Sequence, residues 1–378
     1  MSLSRAGIEV ECFEAGAWPR VAGVWADLAA QSPYTTFFIS PEWVESWLEV
    51  FGASLAAEIL IFRESGRAIG AAVLVRRTLP RGPFRVRCVY LNTAGENPGD
   101  SPCIEFNNLL CLAGSETAVA AALLAQIDKR PWDEIWVNGF CQGPPLDALA
   151  EACSPMARER SVHANFYVDL KRLRESGATY ESALGAKDRA RLRQNLRAYG
   201  ETEVSVPSEC QDALKAFEDL AELHTKSWKD RNEAGAFASA MFRAFHQALI
   251  RRAIGGIQLA RVTSATGPIG LLYNMVYRGK VYFYQSGLVY STNKRVRPGF
   301  VTLARTIHYC LDHPELEEFH FMPGSDHYKE PMSTNRQELE WIVFQKRNWK
   351  NEAIRLLRRL KRRLRPAQAP ASDSEDPS

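Results

Sequence analysis

The stretch RVRPGFVTLARTIHYCL (Arg295–Leu311) decides how this chain is read. A basic run, Lys294, Arg295 and Arg297, stops at Pro298-Gly299, and an amphipathic helical pattern starts at once. Proline suits the first helical position, where an N–H would have no intrahelical partner. Gly299 has no Cβ, so other atoms can approach its backbone closely. The first turn of a helix leaves backbone N–H groups unpaired and carries the positive end of the dipole. Two readings follow: a capped structural helix with solvated arginines, or an anion site in which the cations pair with phosphates.

The flanking sequence gives this helix its setting. Helical patterns around 209–230 and 237–253 precede GIQLARVTSATGPIGLLYNMVYRGKVYFYQSGLV, which reads as three antiparallel strands turning at Thr266-Gly267 and Arg278-Gly279. The strand EEFHFM follows the helix. The first half runs in the same order. A strand IEVECF, a helix around Trp18–Ala30 and SPEWVESWLEVFG come first, the last with Ser40 as N-cap and Pro41 at the first helical position. A hairpin about Ser65-Gly66, the strand FRVRCVYL, a turn-rich loop NTAGENPGDSP, a helix at 115–129 and the strand DEIWVNGF complete it. GRAIGAAVLVRR in the first half answers TGPIGLLYNMVYR in the second. The expectation is an α/β chain (α+β, mixed sheet) built as two tandem copies of one unit, each a mostly antiparallel sheet flanked by helices. The expected divisions are 1–160, 161–347, a basic helix 348–365 and a disordered tail 366–378.

Composition narrows the class. Of 378 residues, 46% are hydrophobic and 24% charged, with a net charge of +3, as in ordinary globular proteins and without the excess charge of a dedicated nucleic-acid binder. The eight cysteines include no C-x-x-C pair, so they read as reduced core residues and no metal site is expected. With no apolar run long enough to span a bilayer and no signal-peptide core, a cytoplasmic location is expected, with a peripheral contact at the inner membrane face as an option.

FFISPEWVESWLEVFG, YESALGAKDRARLRQNLRAYGETEV, the RPGF helix entry and FMPGSDHYKE occur in that order. Together they resemble the FemAB-like branch of the GNAT acyltransferase superfamily, and within it the CelD-like group. The resemblance spans roughly Phe37 to Phe344. It implies tandem GNAT domains, the first degenerate, and transfer of an acyl or aminoacyl group to an amine or, less often, a hydroxyl. It implies acetyl-CoA or another acyl-CoA as co-substrate, its pyrophosphate held at the Pro298 helix by Lys294, Arg295, Arg297, Gly299 and Phe300. GNAT loops of the usual type carry Q/R-x-x-G-x-G/A; here Arg297 stands where the pattern has glycine.

A second constellation is PGSDHYKE, after the last strand. The family pattern there is a Tyr-Lys pair, matched by Tyr328 and Lys329; Asp326 and His327 precede it. Acyl transfer to an amine needs one group to take a proton and one to give it, and these four types can do so if within hydrogen-bond reach. A packed tyrosine and a structural lysine would give the same sequence. Trp228, Tyr284 and Gln285 are candidates to line the acceptor cleft, and Asp100 to reach it from the first half.

The last feature is basic. Arg189, Arg193 and Arg197 fall on one side of a helix at 187–197, and RLLRRLKRRLR (355–365) sets Ile354, Leu357, Leu360 and Leu364 against arginines. Solvated helix faces explain both, as does contact with tRNA or a membrane surface. The leading expectation is an acyl-CoA-dependent acyltransferase acting on a sugar, amino acid or envelope or polysaccharide precursor. The alternatives are aminoacyl-tRNA-dependent transfer and an inactive scaffold in polysaccharide assembly.

Overall fold

A computed structural model describes residues 7–230, 233, 235–290, 296–324 and 327–364, with side chains described to Leu357. In the first half, β1 (Glu9–Glu14) and the helices α1 (Trp18–Gln31) and α2 (Pro41–Trp47) precede the strands β2 (Glu58–Glu64), β3 (Arg67–Arg81) and β4 (Phe84–Leu91). A two-residue β5 (Leu110–Cys111), α3 (Glu116–Asp128), β6 (Glu134–Cys141) and α4 (Pro144–Ala152) follow. A long β7 (Ala157–Asp169) and the short helices α5 (Leu170–Ser176) and α6 (Tyr180–Ala183) lead across. The second half comprises α7 (Ala186–Tyr199), β8 (Thr202–Ser205), α8 (Cys210–Lys229) and α9 (Ala240–Arg252), then the meander β9 (Ile257–Ser264), β10 (Gly267–Tyr277) and β11 (Lys280–Leu288). It closes with α10 (Pro298–Leu311), β12 (Glu318–His320), β13 (Asn335–Gln345) and α11 (Trp349–Leu364).

Local chemistry explains the elements that matter for the site. Ser40 caps α2, its hydroxyl oxygen accepting from the Trp43 amide at 3.3 Å. Ser65 and Gly66 take φ of 50° and 80°, the left-handed pair that closes a two-residue hairpin. α8 buries Ala213, Phe217, Leu220 and His224, a single face at i, i+3, i+4 spacing.

All strands join one sheet in the order β1-β2-β3-β4-β6-β13-β7-β12-β11-β10-β9-β8, with β5 beside β3. Ladders are antiparallel except β4–β6 and β11–β12. The last strand of each half crosses to the other: β7 pairs with β12, and β13 pairs with β6 and β7. Residue 160 therefore lies inside a strand. β13 has no counterpart in the sequence reading, because Glu338 and Glu340 interrupt its apolar alternation. Glu340 is buried all the same, its carboxylate accepting from the Arg160 guanidinium at 2.5 and 2.6 Å.

The self-similarity has a packing cause. A Cβ at Gly70 would meet Val119 of α3 at 2.8 Å, and one at Gly270 would meet the Thr302 hydroxyl of α10 at the same distance. In each half, the helix after the meander presses on the sheet where the sequence reads Ile-Gly.

Candidate functional site

The two parallel ladders behave differently, and the site lies where they differ. β11 and β12 pair only from Lys280–Glu318 to Tyr282–His320. Beyond that point β12 has ended, and the Phe321 amide donates instead to the Phe166 carbonyl of β7. β11 runs on to Leu288 with an extra residue, Tyr284, between the pairs Tyr273–Gln285 and Asn274–Phe283. Such a bulge bends the strand and raises its twist. From Phe283 onward, β11 has no strand on its outer edge among the described residues.

A cavity of about 340 Å³ opens at this divergence. Leu272, Phe283, Gln285 and Leu288 form its floor; His224, Ser227 and Trp228 of α8 form one wall. The mouth of α10 (Arg297, Pro298, Gly299, Phe300), Asp188 and Arg191 of α7, and His327 and Tyr328 complete it. α10 starts without a side-chain cap among the described residues and has no acidic residue in its first turn. Its Gly299 and Phe300 amides lie in that uncapped turn, where donors have no intrahelical acceptor. Arg297 has φ −111°, extended backbone open to any residue, which is how an arginine stands where glycine is usual. Its amide donates to Asn195 Oδ1 at 2.7 Å, and Asn195 Nδ2 donates to the Arg191 carbonyl at 2.8 Å. Buried Asn195 thus ties α7 to the mouth of α10. The Arg191 guanidinium lies 5.2 Å from the Phe300 ring centre, a cation–π contact that sets its charge at the cavity edge.

Of the residues singled out from sequence, Arg297, Gly299, Phe300, Trp228, Gln285, His327 and Tyr328 meet at this cavity. Lys294, Arg295 and Asp326 lie outside the described residues. Lys329 is buried, and its ammonium donates to the Pro323 carbonyl at 3.2 Å, pinning the loop rather than lining the cavity. Tyr284 turns to the other face of the sheet. Its hydroxyl donates to the Pro102 carbonyl at 2.6 Å and meets His246 Nε2 at 3.2 Å. Asp100 is also elsewhere, its carboxylate accepting from the Ser239 hydroxyl that caps α9. Asp188, Arg191, His224 and Ser227 are the residues that sequence reasoning missed. His224, Ser227 and Trp228 stand at i, i+3, i+4, so Trp228 held the signal for the other two.

The first half closes the same gap. Asn107 lies parallel to β6 beside Phe140: its amide donates to the Gly139 carbonyl at 2.8 Å, and its carbonyl accepts from the Cys141 amide at 3.0 Å. β5 fills the adjoining place on β3. The Asn107 side chain is buried and satisfied, accepting from Asn92 Nδ2 at 2.6 Å and donating to the Asn138 carbonyl at 3.1 Å. The mouth of α3 holds a carboxylate, Glu116, which accepts from the Tyr34 hydroxyl and the Gly114 amide.

The loop between β4 and Asn107 crosses to the second half. The Phe106 ring packs 4.7 Å from Tyr282 and 5.2 Å from His320, the last paired residues before the strands part. Cys103 and Phe106 hold positive φ of 51° and 49°, unfavourable for such side chains. Between them, Glu105 faces two crevices of about 520 and 650 Å³ at the junction of the halves, with Trp136, Asn138 and Trp341. Its carboxyl has no hydrogen-bond partner among the described residues. Burial pushes its pKa up to about 8, against the opposing charge of Lys329. Cys103 is exposed at the rim, and partial desolvation with the nearby Glu105 raises its thiol pKa to about 11. No cluster of three or more His, Cys, Asp or Glu suited to a metal ion occurs among the described residues, and no described helix is long and apolar enough to cross a membrane.

Residues 186–330 match the family model for an acetyltransferase (GNAT) domain. The matched segment contains both parted strands, α10 and every cavity residue named above, so the cavity lies within the part of the chain that matches the GNAT acetyltransferase domain. A FemX crystal structure superposes with a TM-score of 0.56 at 10% identity, covering 85% of this chain and 95% of that one. The C-terminal domain of a putative lysylphosphatidylglycerol synthetase from Agrobacterium fabrum gives 0.52 at 11% identity, covering 90% and 95%. L-PGS from Bacillus licheniformis gives 0.51 at 11%, covering 91% and 97%. At these identities the likeness is one of fold. No curated protein matches the sequence.

Proposed function

We propose that the protein transfers an acyl group from acyl-CoA to an amine, with the donor in the second-half cavity and the acceptor entering from the crevice at Glu105. The carrying observation is the gap between β11 and β12, which joins a helix mouth with no side-chain cap and no acid in its own first turn to a strand edge that is unpaired among the described residues. A pyrophosphate suits the Gly299 and Phe300 amides, with Arg191 and Arg297 beside them. A pantetheine arm suits the free edge of β11, over the apolar floor of Leu272, Phe283 and Leu288.

The chemistry needs no covalent enzyme intermediate. The amine nitrogen attacks the thioester carbonyl carbon; the new C–N bond forms, the C–S bond breaks, and the thiolate leaves. Glu105, beside the point where the strands part, takes the proton that the amine nitrogen sheds as the C–N bond forms. Its raised pKa, about 8, makes it a stronger base than an ordinary carboxylate once it ionises, so the step speeds up as pH rises through that value. Tyr328 or His327, at the cavity rim, returns a proton to the thiolate. The high thiol pKa of Cys103 argues against a cysteine nucleophile at this junction. The first half, its own gap closed, serves as the wall of the acceptor crevice. The acceptor belongs to amine-bearing sugars, amino acids or envelope precursors.

The test is a thermal-shift titration with acetyl-CoA, longer acyl-CoAs and free CoA, followed by thiol release with a panel of amines. Stabilisation by CoA species and amine-dependent thiol release are expected; no stabilisation by any of them contradicts the reading.

One observation favours a second donor. α7, which lines the cavity with Asp188 and Arg191, turns Lys187, Arg193 and Arg197 outward beside it. That basic face fits the acceptor stem of an aminoacyl-tRNA. Salt-sensitive tRNA binding without CoA binding would select this donor; CoA binding without tRNA binding at low salt would dismiss it.

A further inference from the structure

The chain ends its described part in a helix that is attached by the wrong face for a core element. α11 docks through Asn351, whose Nδ2 donates to the Asp133 and Lys346 carbonyls at 3.0 and 2.8 Å. Lys350 bonds the buried Asp133 carboxylate at 2.5 Å, Ile354 is buried, and the Arg355 guanidinium donates to Gln345 Oε1 at 2.8 and 2.9 Å. At about 100° per residue these four anchors occupy one side. Trp349, Leu356 and Leu357 fall within about 100° of one another on the other side. They are 75%, 58% and 47% exposed, and they are three of the six exposed large hydrophobic residues among those described.

The surroundings of this apolar strip are mainly cationic, the one acid of α11, Glu352, being paired with Arg355 at 3.2 Å. Lys346, Arg347 and Arg85 are exposed near its start, where the Trp349 ring meets Phe84 edge to face at 5.9 Å. The sequence from 355 to 365 carries seven Lys or Arg and no acidic residue, with Leu360 and Leu364 continuing the apolar period. A helix that keeps its polar side on the protein and offers Trp and Leu between cations matches a lipid surface with anionic headgroups. Tryptophan favours that boundary, and long cationic side chains reach from it to phosphates. A second copy of the chain would bring the same cations face to face, which opposes self-association through this strip.

We propose that α11 is a surface anchor that lies flat on an anionic lipid bilayer, inserting Trp349, Leu356 and Leu357 between headgroups. This proposal is independent of the donor and acceptor assignment. The test is co-flotation of the full chain with vesicles of phosphatidylcholine alone and of phosphatidylcholine mixed with phosphatidylglycerol. Binding to the anionic vesicles and not the neutral ones is expected, reduced by high salt. The double variant Leu356→Glu/Leu357→Glu should bind at least about tenfold more weakly while melting at the wild-type temperature, since both side chains are exposed. Equal recovery with both vesicle types, full binding by the variant, or a concentration-dependent dimer that the variant abolishes would overturn it.

Discussion

The two halves share one plan and treat the gap after the meander in opposite ways. In the first, Asn107 closes the sheet beside β6 and Glu116 puts a carboxylate at the mouth of α3. In the second, β11 and β12 part after Tyr282 and His320, and α10 opens with Gly299 and Phe300 beneath Arg191. The difference shows that the fold alone does not make a donor site. On the proposed reading, what makes it is that, among the described residues, no strand fills the gap and the first turn of α10 carries no acid. The first half, having closed its gap, spends the connecting loop on its neighbour, where Phe106 braces the parting strands and Glu105 faces the crevice.

The largest effect should come from placing in the second half what the first half already has. Gly299→Glu sets a carboxylate at the mouth of α10, where a Cβ already meets Leu288 at 3.2 Å. CoA affinity by calorimetry should fall at least about 100-fold, ~2.7 kcal/mol, whereas Glu116→Gln should leave it unchanged. Next is the loop that the first half lends. Glu105→Gln should lower kcat about 100-fold with little change in KM. The wild-type rate should climb as pH rises through about 8, because the carboxyl below that value is protonated and cannot accept a proton; the variant should lack this climb. The same raised pKa works against the fold when the group ionises. Wild-type stability should therefore decline as pH rises from the ordinary carboxyl range to about 8 and level off above it, and Glu105→Gln should not share that decline.

Asn107→Ala weakens the closure by removing its side-chain bonds while the backbone bonds to Gly139 and Cys141 remain. It takes the side-chain partner from the Asn138 carbonyl and the Asn108 amide and leaves Asn92 Nδ2 only its bond to the Asn108 carbonyl, so urea unfolding should report a loss of ~2 kcal/mol with CoA affinity intact. A fall in CoA affinity would mean that the first gap, not the second, holds the donor. The smallest expected change is Arg191→Ala, about fivefold weaker CoA binding, ~1 kcal/mol, with the salt dependence of binding reduced.

Much of this was legible where short-range rules apply. The hairpin at Ser65-Gly66, the meander turns, the Pro298 helix and the residues around Gly299 follow from turn chemistry and period. Strand β13 did not, because its buried Glu340 depends on Arg160, 180 residues away. Glu105 did not either. It sits in a loop that reads as polar punctuation, and nothing in the local pattern reveals that its neighbour Phe106 touches Tyr282 and His320. Tyr284, expected at the acceptor cleft, stands apart from Gln285, which was expected beside it. Neighbouring residues of a strand alternate faces, so with Phe283 and Gln285 on the cavity Tyr284 points to the other side.

The central claim is that the donor binds where the second pair of strands parts and not where the first pair is closed. A crystal structure of the protein with CoA tests it directly. The account predicts pyrophosphate density at the Gly299 and Phe300 amides, with the pantetheine arm along Phe283–Leu288 of β11. Density at the mouth of α3, or CoA bound elsewhere with α10 covered by side chains, would contradict it.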